Sequence, residues 1–204
     1  MKTDFENSAI ERMLQAGLPL AHIQQQKRIF FQDLAVENYY KPIEATEESD
    51  QVIPVPKILA VNSDLELAGT SVYDFFMGKT AGSDLAKSEE QLKALEERGL
   101  ASQQAAYGDR ALAEALMPLN FHYYQEEDGY ILQGTGVHQV VAAKMFAAPL
   151  IFGRVAVYQL DEEQQKLYEE FASLNEILRL TDLKGVTLDY FQANKKGKQN
   201  DLPE

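Results

Sequence analysis

The stretch Asp128-Gly129-Tyr130-Ile131-Leu132-Gln133-Gly134-Thr135-Gly136-Val137-His138-Gln139-Val140-Val141-Ala142-Ala143-Lys144-Met145 decides how the chain is organised, because its apolar period changes part-way along. Residues 119–124 and 130–133 are β-like on either side of Asp128-Gly129, a strong hairpin signal. Gly134-Thr135-Gly136 then interrupts the strand, and residues 137–147 follow helical spacing. Pro149 stops that helix, and residues 151–160 form a further strand. Hairpin, helix and strand are expected to share one core, with Val140, Val141 and Met145 buried.

Working outward, Asp161 and Gln164 make a capping box for a helix carrying Leu167, Phe171, Leu174, Ile177 and Leu178. Towards the N-terminus, Asp84 opens a long helical region with Leu85, Leu92 and Leu95 on one side. Gly99 and Gly108 interrupt it, and residues 111–117 complete it. Residues 69–83, rich in Gly, Thr and Ser around Tyr73, Phe75 and Phe76, suggest a short helix or a packed loop. Residues 52–61 read as one strand, which Pro54 and Pro56 assign to a sheet edge or to strand entry.

Ser8 caps a first helix, broken by Gly17 and Pro19, and the apolar residues of 19–40 predict a second, ended by Pro42. The acidic run 44–50 reads as a linker. The organisation expected is a helical arm with acidic linker over 1–50, a core over 51–160, and a C-terminal helix with a polar tail over 161–204.

Gly134-Thr135-Gly136 lies between a strand and a helix. A turn there either simply reverses the chain or leaves its amides, with the helix N-terminus, free to hold an anion. By composition alone both remain open. His138 in the first helical turn is the histidine with a mechanistic setting, as a donor to phosphate or a general acid, although a structural histidine fits equally.

The order of hairpin, Gly-rich box, alanine-rich helix and strand through Arg154-Val155 resembles the ParB/sulfiredoxin superfamily, whose G-x-[HR]-R box holds the triphosphate of ATP or CTP. The resemblance implies an α+β fold, a small mixed sheet flanked by helices, and a box formed here by Gly136, Val137, His138 and Gln139. It implies a nucleotide site of Gly134, Thr135, Gly136, Gln139 and Lys144, with His138 as the catalytic candidate and magnesium accompanying ATP or CTP. Val137 stands where sulfiredoxins carry their catalytic cysteine, which excludes that reductase chemistry. Gln139 stands where the family has arginine, and an amide lacks the charge-assisted bidentate contact of a guanidinium. Lys144 or Arg154 would have to compensate, against the alternative that each is a solvated surface cation.

Composition limits the remaining functions. There is no cysteine, hence no disulfide, thiolate metal site or cysteine nucleophile. The net charge of -13 opposes nucleic acid, a DNA-associated role included, and the lysines 195, 196 and 198 offer only a weak basic patch. Three scattered histidines, His22, His122 and His138, lack metal-ligand spacing. No leader or membrane span is legible, so the expected place is the cytoplasm. Two functions compete: a nucleotide- or phosphate-binding protein with at most slow triphosphate hydrolysis, and a catalytically silent acidic module that binds a protein partner.

Overall fold

The computed structural model describes residues 2–32, 38–43, 49–62, 67–115 and 118–178, and among them eight α-helices and a six-stranded mixed sheet make an α+β fold. The hairpin forms where the sequence placed it. Asp128 takes a positive φ of 45°, and the chain folds back between β4 (Asn120–Tyr124) and β5 (Gly129–Gln133). On the other side of β4 lies β6 (Leu150–Leu160), parallel to it, with Phe121 opposite Val155. A parallel neighbour needs a crossover. Here it is α7 (Val137–Met145), which carries the chain from β5 past β4 to β6.

Val140, Val141 and Met145 are buried as expected, and so are Val137, Ala142, Ala143 and Phe146, so α7 has little solvated surface. It packs against α3 (Val72–Phe76) and α4 (Leu85–Arg98). Phe76 meets Phe146 edge-on at 5.7 Å between ring centres. Each such buried ring is worth about 1.5–3 kcal/mol in transfer free energy. The glycine-, serine- and threonine-rich stretch thus yields a short helix; the Ser71 hydroxyl caps it by accepting from the Asp74 N–H at 3.0 Å. Gly99, at φ 75°, separates α4 from α5 (Leu100–Gly108), and α6 (Arg110–Ala115) follows.

Three expectations need correction. Ser8 does not cap the first helix, which spans Lys2–Gln15 and holds Ser8 in its middle. Residues 52–61 are not one strand. They form β2 (Ser49–Pro54) and β3 (Ile58–Asn62), separated by a 3-10 turn over Val55–Lys57. Pro54 and Pro56 cannot donate to a ladder, so the chain leaves one partner and joins another. β2 pairs antiparallel with β6, and β3 pairs parallel with β5 at the sheet edge.

The second helix is also much shorter than 19–40. α2 covers Leu20–Gln25, a 3-10 turn covers Gln26–Arg28, and Phe30 and Phe31 then make isolated bridges to Ser71 and Ala68. The N–H of Phe31 donates to Thr70 O and that of Val72 to Ile29 O. These pairings bury Phe31 against the core, and they override the local helical pattern. Residues 33–37, the acidic run 44–48 and the lysines of the tail lie outside the described residues.

By contact the chain divides into two units. The larger, 1–34 with 42–158, includes α1 (Lys2–Gln15), whose Ala9 and Met13 are fully buried. Arg12 holds α1 to α4 through Glu96 at 2.6 Å and Glu89 at 2.8 Å. In the smaller unit, 35–41 with 159–204, the strand β1 (Tyr40–Pro42) begins and α8 (Glu162–Leu178) opens at the expected cap. The Asp161 carboxylate accepts from the N–H groups of Glu163 and Gln164 at 3.1 and 3.2 Å.

Gly153, in β6, shows how tightly the sheet is packed. A Cβ there would lie 2.7 Å from the Phe121 ring and 2.8 Å from Leu119 O. At Gly108 the nearest atom to a new Cβ is Leu150 Cβ at an ordinary 3.6 Å. Gly153→Ala is therefore expected to destabilise by about 1–3 kcal/mol, while Gly108→Ala stays within about 1 kcal/mol of wild type or gains. Urea unfolding of the two variants checks the contrast.

Candidate functional site

The turn after β5 is fixed from both sides. The Gly134 N–H donates to Asn62 O at 2.7 Å, tying the turn to the end of β3, and the Asn62 amide donates to Gln133 Oε1 at 3.0 Å. Gly136 is the N-cap of α7 at φ 98°, and a Cβ there would meet Leu119 Cδ2 at 2.1 Å. Glycine is thus favoured by conformation, while the crowding against the Leu119 side-chain tip can be relieved by a shift of that side chain. No side chain caps the helix. The N–H groups of Gln139 and Val140 donate to Gly136 O at 3.0 and 3.1 Å, which leaves those of Val137 and His138 without an acceptor within the helix, at the positive end of its dipole.

A cleft of about 700 Å³ opens at this point, lined by the turn 133–138 and by Asn62, Gly82, Asp84 and Lys87. Asp84 is the N-cap of α4, and Lys87 lies in that helix's first turn. The starts of two helices therefore meet at one cleft. They are joined directly, since the Asp84 backbone N–H donates to His138 Nε2 at 3.1 Å. Asp84 also closes its own helix, its carboxylate accepting from the Ala86 N–H at 2.9 Å.

That bond determines the state of His138. A nitrogen that accepts a hydrogen bond carries no proton, so the ring is neutral with its proton on Nδ1. Burial lowers the imidazole pKa below its ordinary value, and Lys87 lowers it further, against a smaller opposing effect of Asp84. The ring also leans on Phe75, 5.0 Å between centres. His138 thus offers the cleft a neutral donor.

Gln139 is adjacent in sequence but lines a different cleft, of about 490 Å³, with Arg98, Gln103 and Tyr107. Thr135 and Gly136 border both clefts. Gly134, Thr135, Gly136 and His138 are therefore brought together, while Gln139 lies behind the turn from His138. Lys144 is not at the site: it is buried, and its ammonium donates to Val55 O at 3.2 Å. Arg154 is exposed on β6 and pairs with Asp50 at 3.6 Å. Neither lines the cleft that Gln139 borders.

Sequence reasoning missed Lys87, Asn62 and Arg98, and took Asp84 only as a helix opener. One signal was available. A lysine in the first turn opposes the helix dipole, and a locally unfavourable charge often marks a functional position. His22 and His122 lie elsewhere: His22 contacts the carbonyls at the far end of α7, and His122 stacks on Tyr158 at 4.4 Å. Among the described residues no group of three His, Asp or Glu side chains could hold a metal ion. No described helix is long and apolar enough to cross a membrane.

The state of His138 gives a pH dependence. Its pKa is lower in the folded chain than the ordinary 6.5, so the unfolded chain takes up this proton first. The stability it contributes is complete above about pH 6.5 and is lost as pH falls through the lower folded value. Wild type should lose melting temperature as pH falls below about 6.5, and His138→Asn should flatten that loss. Scanning calorimetry across the window tests it.

No family model, no curated protein and no solved structure matches the chain, so the site rests on its own geometry.

Proposed function

We propose that the chain binds a nucleotide or a related phosphate-bearing ligand in the cleft at Gly134 to Gly136. The observation that carries this is the meeting of two helix starts with Lys87 and His138 around one glycine turn. Unpaired N–H groups at helix N-termini, a positive dipole end and a lysine are the elements that hold phosphate. The glycines let the ligand approach the backbone closely.

The same geometry favours binding over turnover. Among the described residues Asp84 is the carboxylate lining the cleft, and one of its oxygens is already engaged by the Ala86 N–H. His138 is neutral with Nε2 occupied. Among the described residues no arginine lines the cleft to stabilise charge developing on a transferred phosphoryl group. Magnesium, if it accompanies ATP or CTP, would be carried by the phosphates, with Asp84 as the carboxylate the described residues offer it. Hydrolysis is therefore expected to be slow.

Titration calorimetry with ATP, CTP and GTP, with and without magnesium, tests the proposal. One nucleotide should bind, and Lys87→Met should weaken it about 10- to 100-fold, since a charge-assisted bond is worth roughly 1.5–3 kcal/mol. Gln139→Arg, whose side chain enters the other cleft, should change affinity less than Lys87→Met does. Absence of binding by any nucleotide would overturn the proposal and leave the protein-binding module as the better account.

A further inference from the structure

Among the described residues Lys144 is the buried lysine, 8% exposed near the C-terminal end of α7. Its ammonium makes one hydrogen bond, to Val55 O, and no described carboxylate pairs with it. A buried cation without a counter-ion is costly, and the negative end of the helix dipole offsets only part of that cost. Among the described residues the other two N–H groups of the ammonium have no acceptor.

Lys144 lines a pocket of about 340 Å³, at the small end of the range for small-molecule sites. Gln26 and His22 are its other inward polar residues, and Ile29, Val55 and Pro149 give it apolar wall. His22 Nε2 lies 3.1 Å from the carbonyl oxygens of both Lys144 and Met145, so it must carry the proton and donate. The Gln26 amide approaches that same nitrogen at 3.3 Å. Two donors do not face each other, so Gln26 turns its oxygen to His22. The structure places Oε1 at the far end of the amide, without a hydrogen-bond partner in a residue only 3% exposed, and the turned amide puts its NH2 there instead.

The unsatisfied groups are thus all donors, one of them charged, beside an apolar wall. We infer that this pocket is a binding site for a small aliphatic carboxylic acid, whose carboxylate pairs with Lys144 and accepts from the Gln26 amide. The short hydrocarbon body lies against Ile29, Val55 and Pro149. A carboxylate supplies the counter-ion that the described residues do not. The site is at the opposite end of α7 from the phosphate cleft and does not depend on it.

Burial lowers the Lys144 pKa to about 8, so the free pocket exchanges its proton near neutral pH. The charged groups on the elements around it are His22, Lys27 and Arg28 from the α2 segment and Lys57 from the Val55–Lys57 turn. Lys27 lies over the Tyr73 ring, and Lys57 is held by Asp128. A bound carboxylate favours the ammonium and raises its pKa again, so affinity must fall as pH rises.

Sodium butanoate is the probe, with butanamide as its neutral counterpart and sodium chloride and inorganic phosphate as ionic controls. Butanoate should raise the melting temperature saturably at pH 7, and butanamide and chloride should not. In calorimetry its dissociation constant should rise about tenfold per pH unit above pH 8, as the amine loses its proton. Lys144→Met, nearly equal in shape, should abolish the shift.

A wild type indifferent to butanoate, or equally stabilised by butanamide, overturns the inference. So does a Lys144→Met protein that still binds butanoate. If that variant does not fold, the wild-type profile decides, and affinity unchanged between pH 7 and pH 9.5 overturns it. Phosphate competing with butanoate for the pocket would overturn the assignment to carboxylates.

Discussion

Helix α7 is buried along almost its whole length, and much of the surrounding structure follows from that. A helix satisfies its own backbone groups except in the first and last turns, so burying its flanks moves the polar demand to its two ends. At the C-terminal end the demand is met by side chains from distant elements. His22 lies against the carbonyls of Lys144 and Met145, and the Gln104 amide donates to those of Phe146 and Ala147 at 2.8 and 3.2 Å. At the N-terminal end no side chain does the same work. The backbone carbonyls at one end are satisfied by side chains while amides at the other open on a cleft, which is why the candidate phosphate site is where it is.

The turn that opens this end is held with little freedom. Gly134 is tied to β3 through Asn62, and Gly136 is pressed against Leu119. A backbone held from both sides can present amides to a ligand without first paying to order them. The same rigidity explains why neighbouring residues address different clefts. With the turn fixed, one helical step separates His138 from Gln139, and that step carries the side chain to the other side of Thr135-Gly136.

The hairpin, α7, β6 and the cap of α8 were legible in the sequence because each depends on residues close together in the chain. Asp128-Gly129 sets its turn alone, and Asp161 caps with N–H groups two and three residues away. What was not legible depends on distant partners. Ile29 to Phe31 looked helical until Ser71 and Ala68 drew them into bridges. Lys87 joins His138 only because α4 and α7 begin at the same place, and Lys144 looked like a solvated cation because nothing local shows that its helix is enclosed. The ParB/sulfiredoxin resemblance rested on the local part. It indicated the glycine turn and His138, but it also carried over Gln139 and Lys144, which face elsewhere.

The sheet's connectivity also bears on synthesis. β2 and β3 leave the ribosome long before their partners, since Ser49 pairs with Val155 and Ile58 with Tyr130. Until β5 and β6 exist, an apolar segment containing Ile53, Val55 and Ile58 has no partner and is open to pairing with other nascent chains. Pro54 and Pro56 fall in the middle of it. By denying donors to any would-be neighbour, they act as gatekeepers during the wait, in addition to dividing the strand in the finished fold.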